Sequence, residues 1–399
     1  MSKRVLAKVK PEIMRWARES GGFSLTEAAD GLNKSDETLT DWEQGTASPT
    51  IPQLRDMARL YKRPLGVFYL QEVPTGFQVL SDFRRLPGNQ PRHFSPELTQ
   101  EIRIANQRRE LARELSEDLG EEVKLFDLSF GLNEDPEVAG QLMCEYLGIS
   151  TTDMAEYWGD ATGRNGFNWW RRRIEDAGVL VFQTTRIASE EASGFAIAYD
   201  VLPTVAINRK DAPVRRLFSL VHEFVHLALK RSGVSDLDID AMRPPDDSAI
   251  EVFCNRVAAA AIMPKKVFLI DGVVTGHGPG MDWTDTDIKS LAKRYNASRE
   301  AILRRLLTFN RTSREFYEAK RAAYAEEFRL QKIKDREAKT QDPIRRNMPQ
   351  EVLSNFGRPF VEMVIDSYRQ DRLTLSEVSG HLGLRTHHVQ KLQSKLEAY

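Results

Sequence analysis

Apolar positions in the first 74 residues recur at helical spacing. Val9, Ile13, Trp16 and Ala17 share one face of a first helix; Leu25, Ala28, Ala29 and Leu32 share one face of a second. Gly21-Gly22 breaks the first of these. Ser24 with Glu27 three residues on forms a capping box for the second, Ser35 caps a third helix, and Pro49 and Pro52 flank the start of a fourth. Short helices joined by short turns predict a small all-α bundle over residues 1–74.

Residues 75–95 are rich in Pro, Gly and Arg and read as a linker, followed over 96–120 by a helix charged on most faces. From 135 the pattern changes. A helix over Asp135–Leu147 precedes another holding Phe167, Trp169, Trp170 and Ile174. The segments 178–185 (GVLVFQTT), 194–200 (GFAIAYD) and 204–209 (TVAINR), rich in β-branched and aromatic residues, read as strands. Helices resume at Ala212, so the block 135–310 is α+β. Residues 312–340 are mostly charged and free of Gly and Pro, which predicts a long solvated helix within a connector over 311–347; residues 348–399 form a last helical unit. The expected organisation is a bundle (1–74), a linker with a connecting helix (75–134), a central α+β domain (135–310), a charged connector (311–347) and a C-terminal helical unit (348–399).

A chain of 399 residues is too long for one typical domain, and 41% hydrophobic residues suffice for sizeable cores. A net charge of −1 argues against a strongly basic nucleic-acid binder and against a polyacidic tail, while leaving room for a local basic patch. The two cysteines, Cys144 and Cys254, do not make a disulfide framework. The start of the chain lacks the apolar core of a signal peptide, and stretches such as 257–264 (VAAAAIMP) are far too short to span a bilayer. The expectation is a soluble cytoplasmic protein with no membrane partner.

The segment 217–230, LFSLVHEFVHLALK, has no Gly or Pro and predicts a helix. Residues four apart share a helical face, so His222 and His226 project side by side and can hold one metal ion, for which neutral imidazole suits Zn²⁺. Glu223 is set beside the water that would attack, as general base, in the pattern HExxH. A third ligand is expected at Glu251, which heads the Gly-free apolar helix 249–264; Ala258, Ala259, Ala260 and Ala261 let that helix pack closely on a neighbour. A favourable charge at a helix N-terminus is the plain alternative for Glu251. Asp240, Asp246 and Asp247 are rival ligands in a Pro-containing segment, and Cys254, one turn from Glu251, reads as core.

These residues resemble the ImmA/IrrE family of cytoplasmic metallopeptidases. The likeness rests on 207–229 (INRKDAPVRRLFSLVHEFVHLAL), 251–264 (EVFCNRVAAAAIMP), 287–307 (DIKSLAKRYNASREAILRRLL) and 167–183 (FNWWRRRIEDAGVLVFQ), and covers residues 135–310. It implies a zincin-like fold, zinc bound by His222, His226 and Glu251, and Glu223 as the catalytic group. It also implies a regulatory endopeptidase that cleaves a helix-turn-helix repressor and so switches on stress, mobile-element or defence genes. His277 and Tyr295 are candidates for stabilising the transition state. Two other classes stay open: a transcriptional regulator whose zincin-like domain is a sensor, and an antitoxin-like binding protein.

Residues 24–50 look like a Cro-type (Xre family) helix-turn-helix, through Leu25, Ala28, Ala29, Leu32, Leu39, Trp42, Glu43, Gly45 and Pro49. The recognition helix of such a motif lies in the major groove, where affinity comes largely from neutralised phosphates. Here Ser35–Glu43 contains Asp36, Glu37, Asp41 and Glu43 and no Lys or Arg, while residues 1–74 as a whole hold 11 Lys or Arg against 10 Asp or Glu. Glu43 resembles an internal brace beside Trp42, and Lys3, Arg4, Lys8 and Lys10 offer phosphate contacts from an arm. Ser35, Asp36, Glu37, Thr38, Thr40 and Asp41 are therefore candidates for docking either DNA or a protein. The tail 373–393 also has a helix-turn-helix look; its adjacent His387 and His388 do not share a helical face and are not expected to bind metal. The expected partners are a protein substrate and, through residues 1–74, DNA; a homodimer is allowed.

Overall fold

The structure, a computed structural model, describes residues 5–74, 81–82, 94–158, 162–235, 245–278, 281–338 and 347–397. Most of the expected linker, the arm residues Lys3 and Arg4, and Asp240 lie outside the described residues, as do the side chains of Asp246 and Asp247. The chain divides into two compact units: residues 1–80 with 90–107, and residues 81–89 with 108–399.

The first unit holds four helices, α1 (Pro11–Glu19), α2 (Leu25–Gly31), α3 (Asp36–Gln44) and α4 (Ile51–Leu60), and a 3₁₀ turn at Leu65–Tyr69. The Ser24–Glu27 capping box forms with both reciprocal bonds, Ser35 accepts from the Thr38 amide, and Thr50 and Gln53 make a second box with Pro52 in the first turn. Gly45 ends α3 in the left-handed conformation, φ 80°, and a Cβ there would lie 2.9 Å from Pro11 Cγ. Met14, Ala17, Ala28, Leu39, Trp42, Leu54, Met57 and Phe68 fill the core. Glu43 is buried on the inner side of α3, where Arg18 Nε and Nη2 donate to its two carboxylate oxygens at 2.7 and 2.9 Å. The first part of the long helix α5 (Pro96–Leu119) is counted with this unit.

The second unit is built on a five-stranded mixed sheet. Its strands are β1 (Ser81–Asp82), β2 (Leu180–Thr184), β3 (Gly194–Ile197), β4 (Thr204–Asn208) and β5 (Gly233–Ser235), in the order β1-β5-β3-β4-β2. β2 runs parallel to β4, from Leu180 opposite Thr204 to Thr184 opposite Asn208, and β3 runs antiparallel to β4 with Gly194 opposite Ile207. The three strands read from the sequence thus become the middle and one side of the sheet. β5 and β1 are too short to show an alternating pattern, and β1 falls in the expected linker.

Helices α6 (Pro136–Tyr146), α7 (Thr151–Met154), α8 (Arg164–Asp176), α9 (Pro213–Ala228) and α10 (Pro245–Ile262) surround this sheet, followed by α11 (Lys265–Phe268), α12 (Gly272–Gly276), α13 (Asp285–Tyr295), α14 (Arg299–Thr308) and α15 (Arg314–Ala338). β2, β3 and β4 are buried at every position, as a sheet covered on both faces requires. Val181, Val205 and Ile207 face the core shared with α8 and α9. The alternate residue Phe182 meets Phe360 edge-to-face, ring centres 5.6 Å apart.

Phe360 belongs to the C-terminal helices α16 (Met348–Phe356), α17 (Arg358–Arg369), α18 (Leu375–Leu382) and α19 (Val389–Glu397). These lie in the same compact unit as the sheet. The Ser354 carbonyl accepts from Arg171 Nη1 at 2.7 Å and Gln183 Nε2 at 2.6 Å, and Arg209 donates to Glu351 and Asn355. α15 is solvated only in part: Tyr317 is buried and Phe316 and Tyr324 pack on the core, whereas Phe328 is exposed. Among the described residues no helix is long and apolar enough to cross a membrane.

Candidate metal centre

α9 starts with Pro213 in its first turn, which fits a position with no intrahelical N–H partner, and carries no Gly or further Pro to its end. Its inner stripe, Leu217, Leu220, Val221, Phe224, Val225 and Ala228, is fully buried. His222 and His226 therefore stand one turn apart inside the domain, each wholly buried, with Nε2 atoms 3.1 Å apart.

α10 brings the third group. Its Ala260 and Ala261 pack against α6 at Gly140, where a Cβ would come within 2.8 Å of Ala260 Cβ and 3.0 Å of the Ala261 amide. This close crossing is what the alanine run allows, and the glycine on α6 is its counterpart. α10 also packs on α9 and places the buried Glu251 carboxylate 3.4 Å from His222 Nε2 and 3.1 Å from His226 Nε2. The three donor atoms lie within 4.8 Å of one another. Ligands about 2.0–2.1 Å from a tetrahedral zinc are themselves about 3.3–3.4 Å apart, so these separations fit such a set. Three lone-pair donors converging in a fully buried site, with no Lys or Arg among them, are a poor structural arrangement without a cation.

Burial, the largest influence on His226, lowers its pKa and keeps the ring neutral, and the neighbouring His222 acts the same way. Burial pushes Glu251 up, but the two imidazoles together outweigh it and hold the carboxyl below its ordinary range. Neutral imidazole and ionised carboxylate are the states in which these groups bind a metal. Cys254 is also fully buried, and burial with the carboxylates of Glu251 and Glu223 keeps it a thiol.

Sequence reading missed Asn255. Its Oδ1 lies 3.1 Å from His222 Nδ1, which places the ring proton on Nδ1 and leaves the Nε2 lone pair facing Glu251 and His226. A signal was present: Asn255 sits four residues after Glu251, on the same face of α10. It also missed Gly194. A Cβ at that position of β3 would lie 3.2 Å from Glu223 Cγ and 2.9 Å from the Ala206 carbonyl. The missing side chain lets Glu223, buried beside His222, lie against the strand.

The remaining candidates Tyr295 and His277 have local partners of their own. The Tyr295 hydroxyl donates to Asp271 Oδ2 at 3.0 Å, its ring packs between Phe268 and Trp158, and burial raises its pKa. His277 lies flat on Trp283, ring centres 3.7 Å apart. In the first unit, Asp36 and Glu37 are exposed at the start of α3, and Asp41 is half-buried. The hydroxyls there are engaged locally: Thr40 donates to the Asp36 carbonyl at 2.8 Å, and Thr38 and Ser35 share a 2.9 Å bond. Thr26 donates to Asp36, and Thr46 to Asp41, each at 2.8 Å.

A buried two-histidine, one-carboxylate set on adjacent helices, packed against a small mixed sheet, defines a metallopeptidase-type domain. Residues 174–307 match the IrrE N-terminal-like domain of the peptidase M78 family, and residues 14–68 match a helix-turn-helix family. The chain thus joins a Cro/C1-type helix-turn-helix to an IrrE-like peptidase domain. No curated protein matches it.

Proposed function

We propose that the protein is a regulatory zinc-dependent endopeptidase whose substrate is a partner repressor carrying a helix-turn-helix domain. The observation that carries this is the convergence of His222, His226 and Glu251 at 3.1–3.4 Å with Glu223 next to them on α9. These three side chains would hold the metal. Bound zinc supplies Lewis-acid polarisation of a carbonyl and makes water easier to deprotonate at neutral pH.

The chain's own groups supply the proton handling. Glu223, fully buried and braced against β3 at Gly194, takes the proton of the attacking water and returns it to the leaving amine. Asn255 holds the His222 ring in the tautomer that presents Nε2. The buried walls of α9 and α10 exclude competing water and strengthen each charge interaction in the site. The acidic outer face of α3 serves to dock the basic DNA-binding surface of the same repressor. Its cleavage switches on the genes the repressor silences, in a stress, mobile-element or defence response.

The test is incubation of the full chain with the helix-turn-helix protein encoded beside it, with and without chelator. Glu223→Gln should keep zinc and the fold while losing about 10²-fold or more in cleavage, the usual size of a general-base contribution. Cleavage by Glu223→Gln at the wild-type rate overturns the assignment. Intact zinc with no cleavage of that repressor by wild type favours a sensor instead.

A further inference from the structure

The C-terminal helices end in a pair, α18 and α19, that lies outside the two family matches. Thr374 caps α18 and forms a box with Glu377, and the helix ends at Gly383 in the left-handed conformation, φ 58° and ψ 31°. Leu384 turns inward, a 3₁₀ turn at Thr386–His388 follows, and α19 continues from Val389. Val378, Leu382, Leu384, Val389, Leu392 and Leu396 are buried, so this pair of helices has one well-packed inner side.

The outer side is the informative one. Positions 389, 392 and 396 form the inner stripe of the last helix, which leaves Thr386, His387, Gln390, Lys391 and Ser394 exposed on the other, with exposed Arg385 just before them. Residues 385–397 contain Arg385, Lys391 and Lys395, two histidines, and a single carboxylate. That carboxylate, Glu397, lies at the far end and accepts from Arg369. Glu377, the nearest acid on α18, accepts from the Thr374 amide and hydroxyl at 2.7 Å. Among the described residues the side chains of Arg385, Gln390 and Lys391 have no polar partner. The field is positive enough to be felt locally. After burial, the neighbours His387, Lys391 and Arg385 are what lower the pKa of His388, whose ring stands 4.0 Å from that of His387.

We infer that residues 374–397 are a DNA-binding unit, in which α19 and the turn leading into it, together Arg385–Ser394, enter the major groove of duplex DNA. Such a helix needs cations for phosphates and side chains with planar or hydroxyl hydrogen-bonding groups for base edges. Arg385 and Lys391 supply the first, and Gln390, Thr386 and Ser394 the second. Gln390 is of the type that pairs with adenine through two hydrogen bonds. This inference stands apart from the peptidase reading, because none of its residues belongs to the metal centre.

The experiment titrates the full-length protein with a random-sequence duplex at several salt concentrations and compares Arg385→Ala/Lys391→Ala. Wild type should bind with a marked salt dependence. The double variant should bind at least tenfold more weakly at low salt, with a log–log slope shallower by about 2, since each lost phosphate contact removes about 0.9. Lys391→Gln alone, at an exposed position that leaves the packing untouched, should lose about half of that slope change. Absence of duplex binding by wild type at low salt overturns the inference. So does unchanged binding by the double variant, or binding that depends on Lys8 and Lys10 of the first unit instead.

Discussion

The helix-turn-helix of the first unit and the α18–α19 pair at the C-terminus bury nearly the same kind of stripe and present opposite faces. In α3, Leu39 and Trp42 turn inward; in the last helix, Val389, Leu392 and Leu396 do. Outward, α3 offers Asp36 and Glu37 with its threonine hydroxyls already engaged, whereas the C-terminal segment offers Arg385, Gln390 and Lys391 without partners among the described residues. The family match falls on the acidic region, at residues 14–68. The difference teaches that packing specifies only the inner stripe of such a motif. What the motif binds is decided on the outer face, which the fold leaves free to vary.

The comparison depends on counting the right charges, and Glu43 must be left out of the acidic face. It is buried with Arg18 in a bidentate pair, and this bond is the main reason the Arg18 pKa is raised. Removing one partner leaves the other buried and uncompensated. Glu43→Ala should therefore cost the first unit about 3–5 kcal/mol, the largest effect foreseen here. Hydrogen exchange across Asp36–Gln44 reads this locally, without requiring the whole chain to unfold in one step. A cost below about 1 kcal/mol would return Glu43 to the solvent face.

A smaller effect tests whether charge alone separates the two regions. Asp36→Lys with Glu37→Lys gives α3 the sign of the C-terminal face at exposed positions. If face charge is what matters, the full chain should gain about tenfold or more in affinity for random duplex, with a salt slope steeper by about 2. The same substitutions should slow cleavage of the repressor if the acidic face docks it. Unchanged duplex binding would mean that α3 is held away from DNA by something other than its charge.

Much of this was legible in sequence because each signal was local. Helical spacing placed His222 and His226 on one face, and the caps at Ser24 and Ser35 set the ends of short helices as expected. The inner strands showed because both faces are covered and most positions carry apolar, β-branched or aromatic side chains, with Gln183, Thr184, Thr204 and Asn208 as the polar exceptions. Longer-range features were not legible. Gly194 beside Glu223 and Gly140 beside Ala260 matter through what approaches them in space, and a glycine in a strand or helix does not announce its neighbour. β1 and β5 carry too few residues to display a period. The C-terminal helices read as a separate unit because nothing in their own sequence shows that Arg171, Gln183 and Arg209 hold α16 from the sheet side.

The smallest effect separates buried from exposed charge within the C-terminal region itself. Arg369 bonds Asp366 at 3.2 Å and Glu397 at 2.5 Å, and all three side chains are substantially exposed, at 40, 43 and 65%. On paper this two-carboxylate cluster looks stronger than the single Arg18–Glu43 pair. Solvent screens it, and holding three flexible side chains in one geometry costs rotamer entropy, so such pairs contribute about 0–1 kcal/mol. Arg369→Ala should accordingly shift the thermal unfolding of the second unit little or not at all. Its visible consequence should be electrostatic: Glu397, freed at the end of the basic face, should weaken duplex binding slightly and mainly at low salt. Destabilisation comparable to that of Glu43→Ala would show that the cluster clamps α17 to α19. The contrast between a structurally fixed acidic helix and a freely presented basic one would then have to be redrawn.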